Sequence, residues 1–313
     1  MPLKIAISGS SGQIGQAVMA FFKSQGHFVT RIVRQTPSTN SHDALVFWDM
    51  AKKEIDCSGL EGHDVVIHLA GASIAGHRWT KTYKELIYSS RVESTQFLCE
   101  ALSRLRYPPR ILFSASAIGY YGSRDANDLL DESAKPGDDF LAGVCVDWEK
   151  ASQQAAANNI RVIHMRFGPV LGPREGVLAK MLVPFKLGLG GIIGTGRQMF
   201  SWIVLDEIPR IISHLIDSAV ISGPINFVSP DPVSNFEFTK VLGKALKRPT
   251  VFPLPAAIVR ILFGEMGDSL LLGGARIFPG RLLESGYQFR YPDLKEALIT
   301  SLGRLKNYQE NVC

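Results

Sequence analysis

Cysteine is scarce in this chain and nowhere clustered. Cys57, Cys99, Cys145 and Cys313 stand far apart among 313 residues, with no C-x-x-C spacing. That excludes a disulfide framework and a thiolate zinc site; no metal is expected, and isolated thiols fit a reducing compartment. Long apolar runs are also missing. None approaches the ~18 residues of a membrane span. The nearest, VFPLPAAIVRILFG, is interrupted by Pro253, Pro255 and Arg260. The opening MPLKIAISGSSG passes from a few apolar residues straight into glycines, unlike a secretory leader. No block of five like charges occurs and the net charge is a mild +5. Neither a nucleic-acid nor a membrane partner is therefore expected, and the cytoplasm is the default location.

What the chain does have is an ordinary globular balance, 46% hydrophobic and 20% charged, and a strict alternation of patterns. LKIAIS reads as a buried strand, followed by apolar residues at helical spacing (Ile14, Val18, Phe21, Phe22) up to the breaker Gly26. HFVTRIV, ALVFW, DVVIHLA, RILFSAS and IRVIHMRFG read as further strands. One long helix is predicted from about Lys81 to Leu105, and another over residues 140–158. Strands alternating with helices predict an α/β fold, a doubly wound parallel sheet with right-handed crossovers. After Gly168 the alternation loosens. QMFSWIVL and Pro224–Val228 are candidate strands, and the S-x-x-E box of Ser234 and Glu237 should open a helix to about Leu246. The predicted organisation is a dinucleotide-binding core over 1–168, a mixed region over 169–245, and a smaller, mostly helical lobe over 246–313.

GSSGQIG, directly after the first strand, places Gly9, Gly12 and Gly15 in a G-x-x-G-x-x-G pattern. Such a turn lets a pyrophosphate approach the backbone and packs the helix closely on the sheet. The helix start then offers N–H groups and a positive dipole end to phosphate. Gly9, Ser11, Gly12, Gln13, Ile14 and Gly15 are the expected cofactor contacts. An NAD-selecting acid is missing: no Asp or Glu lies between Gly15 and Asp43. Arg31 and Arg34 occupy the second strand and its end instead. An arginine there forks onto the 2′-phosphate of NADP. Arg34 is the better placed, with Arg31 expected to point along the other face.

GSSGQIG, DVVIHLAG, SASAIGYYG and RFGPVLG together resemble the extended short-chain dehydrogenase/reductase superfamily, the group of NDP-sugar epimerases and dehydratases. DWEKA, VPFKLGLGGIIGTGRQMFSWIVLDE and the tail from FPLPAAIVRILFGEM to YPDLKEAL look like one atypical, epimerase-like branch, whose bacterial members have been labelled sugar-nucleotide epimerases or cell-division inhibitors. The resemblance covers nearly the whole chain. It implies a Rossmann domain of strand order 3-2-1-4-5-6-7, a small C-terminal domain closing over the nicotinamide end, and a preference for NADP(H). It also implies that Leu69, Ala70 and Gly71 pass under the cofactor with main-chain contacts, that Arg91 reaches a cofactor phosphate or ribose, and that Val170 offers backbone atoms to the carboxamide.

Active members of that superfamily use a Ser or Thr, a Tyr and a Lys four residues beyond the Tyr. Ser116 matches the serine. Counting back from Glu149 puts Leu141 at the tyrosine place and Cys145 at the lysine place. The usual proton relay is therefore absent, although general acid–base help is typically worth ~10²–10⁴-fold. Tyr120 and Tyr121 are the substitutes the sequence offers. Arg197 and Trp202, in GTGRQMFSW, are expected to contact the substrate, by charge pairing and by ring stacking. Two functions stay open: an NADP(H)-dependent oxidoreductase or epimerase on an unidentified carbonyl or sugar-like small molecule, and a non-catalytic NADP(H) sensor. The sequence fixes neither the substrate nor the oligomeric state.

Overall fold

The computed structural model describes residues 1–35, 43–172, 175–218 and 220–310, the side chains of 304–310 excepted. Its centre is an eight-stranded sheet. The strands are β1 (Lys4–Ser8), β2 (Phe28–Val33), β3 (Ala44–Asp49), β4 (Glu54–Ile55), β5 (Val65–His68), β6 (Ile111–Ala117), β7 (Arg161–Phe167) and β8 (Gly223–Phe227). Their spatial order is β8-β7-β6-β5-β1-β2-β3-β4. All neighbours are parallel except β3 and β4, so the seven parallel strands carry the expected order 3-2-1-4-5-6-7. The short antiparallel β4 is an addition that the sequence pattern did not announce.

Helices cover both faces because the strands are apolar on both. Ile5, Ile7, Ile163, Met165 and Phe227 point to one side, against α1 (Gln13–Ser24) and α6 (Glu207–Asp217). Ala6, Val66, Leu112 and Val162 point to the other, against α3 (Val92–Ser103) and α4 (Phe140–Ala156). Each large apolar side chain so buried contributes roughly 1.5–3 kcal/mol. Asp139 starts α4 by accepting the Ala142 N–H at 2.8 Å, and Ser234 starts α7 (Asn235–Leu246) by accepting from Glu237, as its capping box predicts.

Two expectations fail. The long helix from Lys81 is broken into α2 (Lys81–Ser89) and α3. At the break, Ser90 Oγ accepts the Ala72 N–H, and the Arg91 guanidinium donates to the Ala72 and Ile87 carbonyls. The side chains that brace the loop after β5 thus interrupt the helix. QMFSWIVL is likewise no single strand. Met199–Phe200 pairs with Val233–Ser234 and Ile203–Val204 with Val170–Leu171, while Trp202 between them turns inward.

The C-terminal part has its own core, where Trp202, Leu178, Leu182, Phe185 and Phe238 meet Leu298 of the last helix, Leu294–Glu310. Its segment 264–274 folds back on the sheet domain: Lys84 pairs with Glu265 at 2.6 Å, and the Arg124 backbone N–H donates to the Gly274 carbonyl at 2.9 Å. Cys57, Cys99 and Cys145 are free thiols; Cys313 lies outside the described residues. No helix among the described residues is long and apolar enough to cross a membrane, and no metal-ligating cluster occurs among them.

Candidate cofactor and active site

The glycine turn sits at the carboxyl end of β1. Gly9 has φ +67°, and a Cβ on it would lie 2.7 Å from the Leu69 carbonyl carbon and oxygen. A Cβ on Gly15 would strike the Gly9 carbonyl. These two glycines let the turn pack on residues 69–70 and on itself. Gly12 differs: it is exposed, and its Cβ would come no nearer than 3.6 Å to anything. It leaves the outer side of the turn open. Gly12 begins α1 with no side-chain cap, whereas α2, α4 and α7 are capped by Thr80, Asp139 and Ser234. The first N–H groups of a helix have no intrahelical partner, so α1 presents them with its dipole to that open side. Beside it, the buried Gln13 Oε1 has no hydrogen-bond partner among the described residues. Ser11 and Ile14 flank the same opening. Open backbone donors and a positive dipole fit a dinucleotide pyrophosphate.

Around this turn the expected contacts fall into two groups. Leu69 donates its N–H to Ser8, and the chain from Leu69 through Ala70 to Gly71 lies against the turn. Arg91 is positioned behind Gly71, its guanidinium committed to backbone carbonyls and to the Trp148 face at 5.3 Å. It braces the loop rather than reaching outward. Val170 is buried and its carbonyl accepts the Gly172 N–H. Arg31, expected to point along the other face, instead reaches the turn: its Nε donates to Ser10 Oγ at 3.1 Å, and Asp43 lies 4.0 Å from its Nη1. Arg34 is exposed at the end of β2 and makes no ion pair or hydrogen bond among the described residues.

At the end of β6, Ser116 is buried and its hydroxyl donates to Glu149 Oε1 at 2.8 Å. Arg166 faces it from β7, where the register pairs the two residues. The guanidinium grips Glu149 in a fork, Nε to Oε1 and Nη2 to Oε2, both at 2.8 Å. Its remaining donors go to the Tyr121 hydroxyl at 2.9 Å and the Glu132 carbonyl. Burial opposes the charge on Arg166, but the carboxylate and Tyr121 outweigh it and hold the group more firmly protonated than usual. On α4, Leu141, Cys145 and Glu149 are spaced by four and share a face. Leu141 and Cys145 abut Gly119 of the loop after Ser116. The relay places are thus filled by apolar groups. Burial pushes the Cys145 thiol up to about 12, which leaves it inert at neutral pH.

Both tyrosine expectations are corrected by this network. Tyr121 is fully buried, donates to Asn226 Oδ1 at 2.7 Å, and is pushed up to about 12 by burial. Its proton is already committed. The Tyr120 ring lies 3.5 Å under the Arg166 guanidinium and lines a cavity of about 750 Å³ between α4 and the edge of β8. That places it across the Arg166–Glu149 pair from Ser116. Trp202 is also corrected: it has no exposed surface and its Nε1–H donates to the Asp231 carbonyl at 3.0 Å, so ring stacking on a substrate is closed to it. Arg197 is exposed. The sequence reading missed Arg166 and gave Glu149 only a packing role. A signal existed, since His164 and Arg166 interrupt the apolar strand IRVIHMRF at alternate positions, on one face.

The comparisons with known proteins agree with this geometry. The model of the NAD dependent epimerase/dehydratase family matches residues 5–226. The chain belongs to that family. A domain of unknown function, DUF1731, matches residues 254–300. Epimerase family protein Mb2239 of Mycobacterium bovis is 40% identical, over 94% of this chain and 96% of its own length. Among solved structures, human epimerase family protein SDR39U1 with NADPH superposes with a TM-score of 0.88 at 33% identity, covering 97% of this chain and all of that one. A nucleoside-diphosphate sugar epimerase from Corynebacterium glutamicum gives 0.78 at 34% identity, over 99% of this chain, which spans 60% of that longer protein. The fold is therefore that of an extended short-chain dehydrogenase/reductase.

Proposed function

We propose that this chain is an NADP(H)-dependent, epimerase-like oxidoreductase acting on a small carbonyl or sugar-like substrate. One observation carries the cofactor part: the close-packed glycine turn leaves the uncapped start of α1 facing an open side. The NADPH complex of the human relative supports the same reading. Gly9, Ser11, Gly12, Gln13, Ile14 and Gly15 hold the pyrophosphate, and Leu69, Ala70 and Gly71 support it. Arg34 supplies the charge for the 2′-phosphate, because Arg31 is already held by Ser10 and faces Asp43. The nicotinamide, when bound, gives or takes the hydride.

The residues of the chain handle the proton. Ser116 donates to Glu149, so its oxygen keeps lone pairs for a substrate hydroxyl. In the oxidising direction that hydroxyl transfers its proton to Ser116 Oγ as the serine proton passes to Glu149 Oε1. The reverse shift returns it. Arg197 contributes an exposed cation to the substrate lobe. A second reading is a non-catalytic NADP(H) sensor, and the near-complete burial of Ser116 favours it. The decisive experiment is a fluorescence titration with NADPH and NADH, followed by a screen of aldehydes, ketones and nucleotide sugars for NADPH consumption. NADH binding should be weaker by tenfold or more, and Arg34→Ala should weaken NADPH at least about tenfold while barely changing NADH. Equal losses for both would refute the role of Arg34. Turnover that Ser116→Ala abolishes with NADPH affinity intact supports the enzyme; tight binding with no turnover across the screen supports the sensor.

A further inference from the structure

The C-terminal part carries two long stretches without a single acidic residue. Residues 176–205 contain Lys180, Lys186 and Arg197, and residues 238–264 contain Lys240, Lys244, Lys247, Arg248 and Arg260, with no Asp or Glu in either. The fold brings the two stretches side by side. The Leu254 N–H donates to the Ile192 carbonyl, the Gly194 N–H donates to the Leu254 carbonyl, and Arg248 Nε donates to the Lys186 carbonyl at 2.9 Å. Arg260 is balanced by Asp268 at 2.8 Å, and the other basic side chains leave the joined stretches with a net positive charge.

The face they form is also the most apolar exposed part of the molecule. Val183, Leu187 and Leu189 protrude from the end of α5 (Gly176–Lys186) and the loop after it, with Leu187 70% exposed. Val251 and Phe252 protrude beside them. The helix α8 (Ala256–Phe263) turns only Val259 into the core and leaves Ile258, Ile261 and Leu262 outward, with Ile261 71% exposed. Contiguous apolar surface of this kind on a globular protein marks an interaction site. None of these residues lines the cavity beside Tyr120. They project, and a projecting surface suits a flat partner better than a peptide that needs a groove.

We propose that this face docks on an anionic lipid surface. The charge decides the partner. A second copy in a two-fold contact would set like charges against one another, whereas a bilayer bearing anionic headgroups meets apolar side chains and basic neighbours at once. The binding is that of an interfacial helix and its flanking loops, with apolar groups entering the headgroup boundary; it requires no membrane span and so differs from what the lack of a long apolar run excludes. Each basic residue near such a surface adds about fivefold in affinity at moderate salt. The proposal does not rest on the cofactor reading.

The test is co-sedimentation of the full chain with vesicles of phosphatidylcholine alone and of phosphatidylcholine with phosphatidylglycerol. Binding should require the anionic lipid and weaken as salt is raised. Ile261→Glu with Leu262→Glu should lower it at least tenfold, and so should Lys244→Glu with Lys247→Glu. All four positions are exposed, so circular dichroism and melting should match the parent and show that a loss is not misfolding. Absence of binding to the anionic vesicles overturns the proposal, as does binding that both double variants leave unchanged. A dimer in light scattering that Ile261→Glu dissociates would assign the face to a second copy instead.

Discussion

Replacing Glu149 by Gln removes one charge from a largely buried ion pair at the wall of the cavity beside Tyr120. Arg166 is 2% exposed and Glu149 7%. With the carboxylate gone, the guanidinium keeps one amide oxygen, the Tyr121 hydroxyl, the Glu132 carbonyl and the Tyr120 face as uncharged partners. Breaking a buried ion pair from one side costs about 3–5 kcal/mol, because an uncompensated charge stays in the interior. The remaining partners put the expected value near the lower end, about 3 kcal/mol. At roughly 1.5 °C per kcal/mol, from an unfolding entropy of ~2.1 cal/mol/K per residue over 313 residues, Glu149→Gln should melt about 4–5 °C below the parent at a fixed scan rate. Ser116→Ala removes one donor and no charge, and should cost only about 1 kcal/mol. Adding Arg166→Met to Glu149→Gln removes the stranded cation and should recover most of the loss. If Glu149→Gln melts within about 2 °C of the parent, or if the two losses simply add, the pair is not dry and the account of the site is wrong.

Two further outcomes follow from the same geometry. Gly9→Ala and Gly12→Ala should fail for different reasons. The first places a Cβ 2.7 Å from the Leu69 backbone at φ +67° and should destabilise the fold by at least ~1–3 kcal/mol. The second meets nothing within 3.6 Å and should melt like the parent yet bind NADPH at least tenfold more weakly; normal binding by Gly12→Ala would remove the pyrophosphate from the turn. His68 gives a pH dependence. It is fully buried beside Trp48, its Nδ1 lies 2.6 Å from Ser8 Oγ, and burial lowers its pKa from 6.5 to about 4. The unfolded chain takes up this proton first, so the contribution is complete above pH ~6.5 and is lost as pH falls towards ~4, at most about 3 kcal/mol at ~1.36 kcal/mol per unit. Urea unfolding across that window should be flatter for His68→Gln than for the parent, and parallel curves would refute the assignment.

How far the sequence was legible depends on where each signal lies. The sheet, its order and the glycine turn could be read because they are written locally, as apolar runs, caps and breakers at short spacing. The break between α2 and α3 could not. Its residues suit a helix, and the interruption comes from Ser90 and Arg91 reaching Ala72, a contact made only in the folded chain. Trp202 was misjudged for the same reason. It lies in a polar-looking loop, but the last helix and α7 enclose it in a core that no local pattern reveals. Arg31 and Arg34 differ by three positions, and which one faces the turn follows from the register of β2 on β1, where Arg31 sits opposite Ile7. The tyrosines of GYYG were placed near the chemistry correctly in the chain and on the wrong side in space, because an arginine on the next strand, β7, draws both rings to it.

The exchange at α4 has a consistent electrostatic logic. In the superfamily pattern the cation belongs to the helix and the acid–base group is a phenol. Here the helix supplies an anion, Glu149, and the strand supplies the cation, Arg166. Neither charge stands alone, so the inversion is possible without stranding an ion in the core. Its consequence falls on Ser116. A serine beside a cation-backed tyrosine is free to donate to a substrate oxygen, but a serine beside a carboxylate spends its proton on that carboxylate and meets the substrate as an acceptor. A site built this way favours a ligand that brings a hydroxyl to Ser116 over one that brings a carbonyl. Among compounds tested as inhibitors of NADPH consumption or as ligands of the NADP⁺ form, alcohols should therefore outrank the matching aldehydes and ketones.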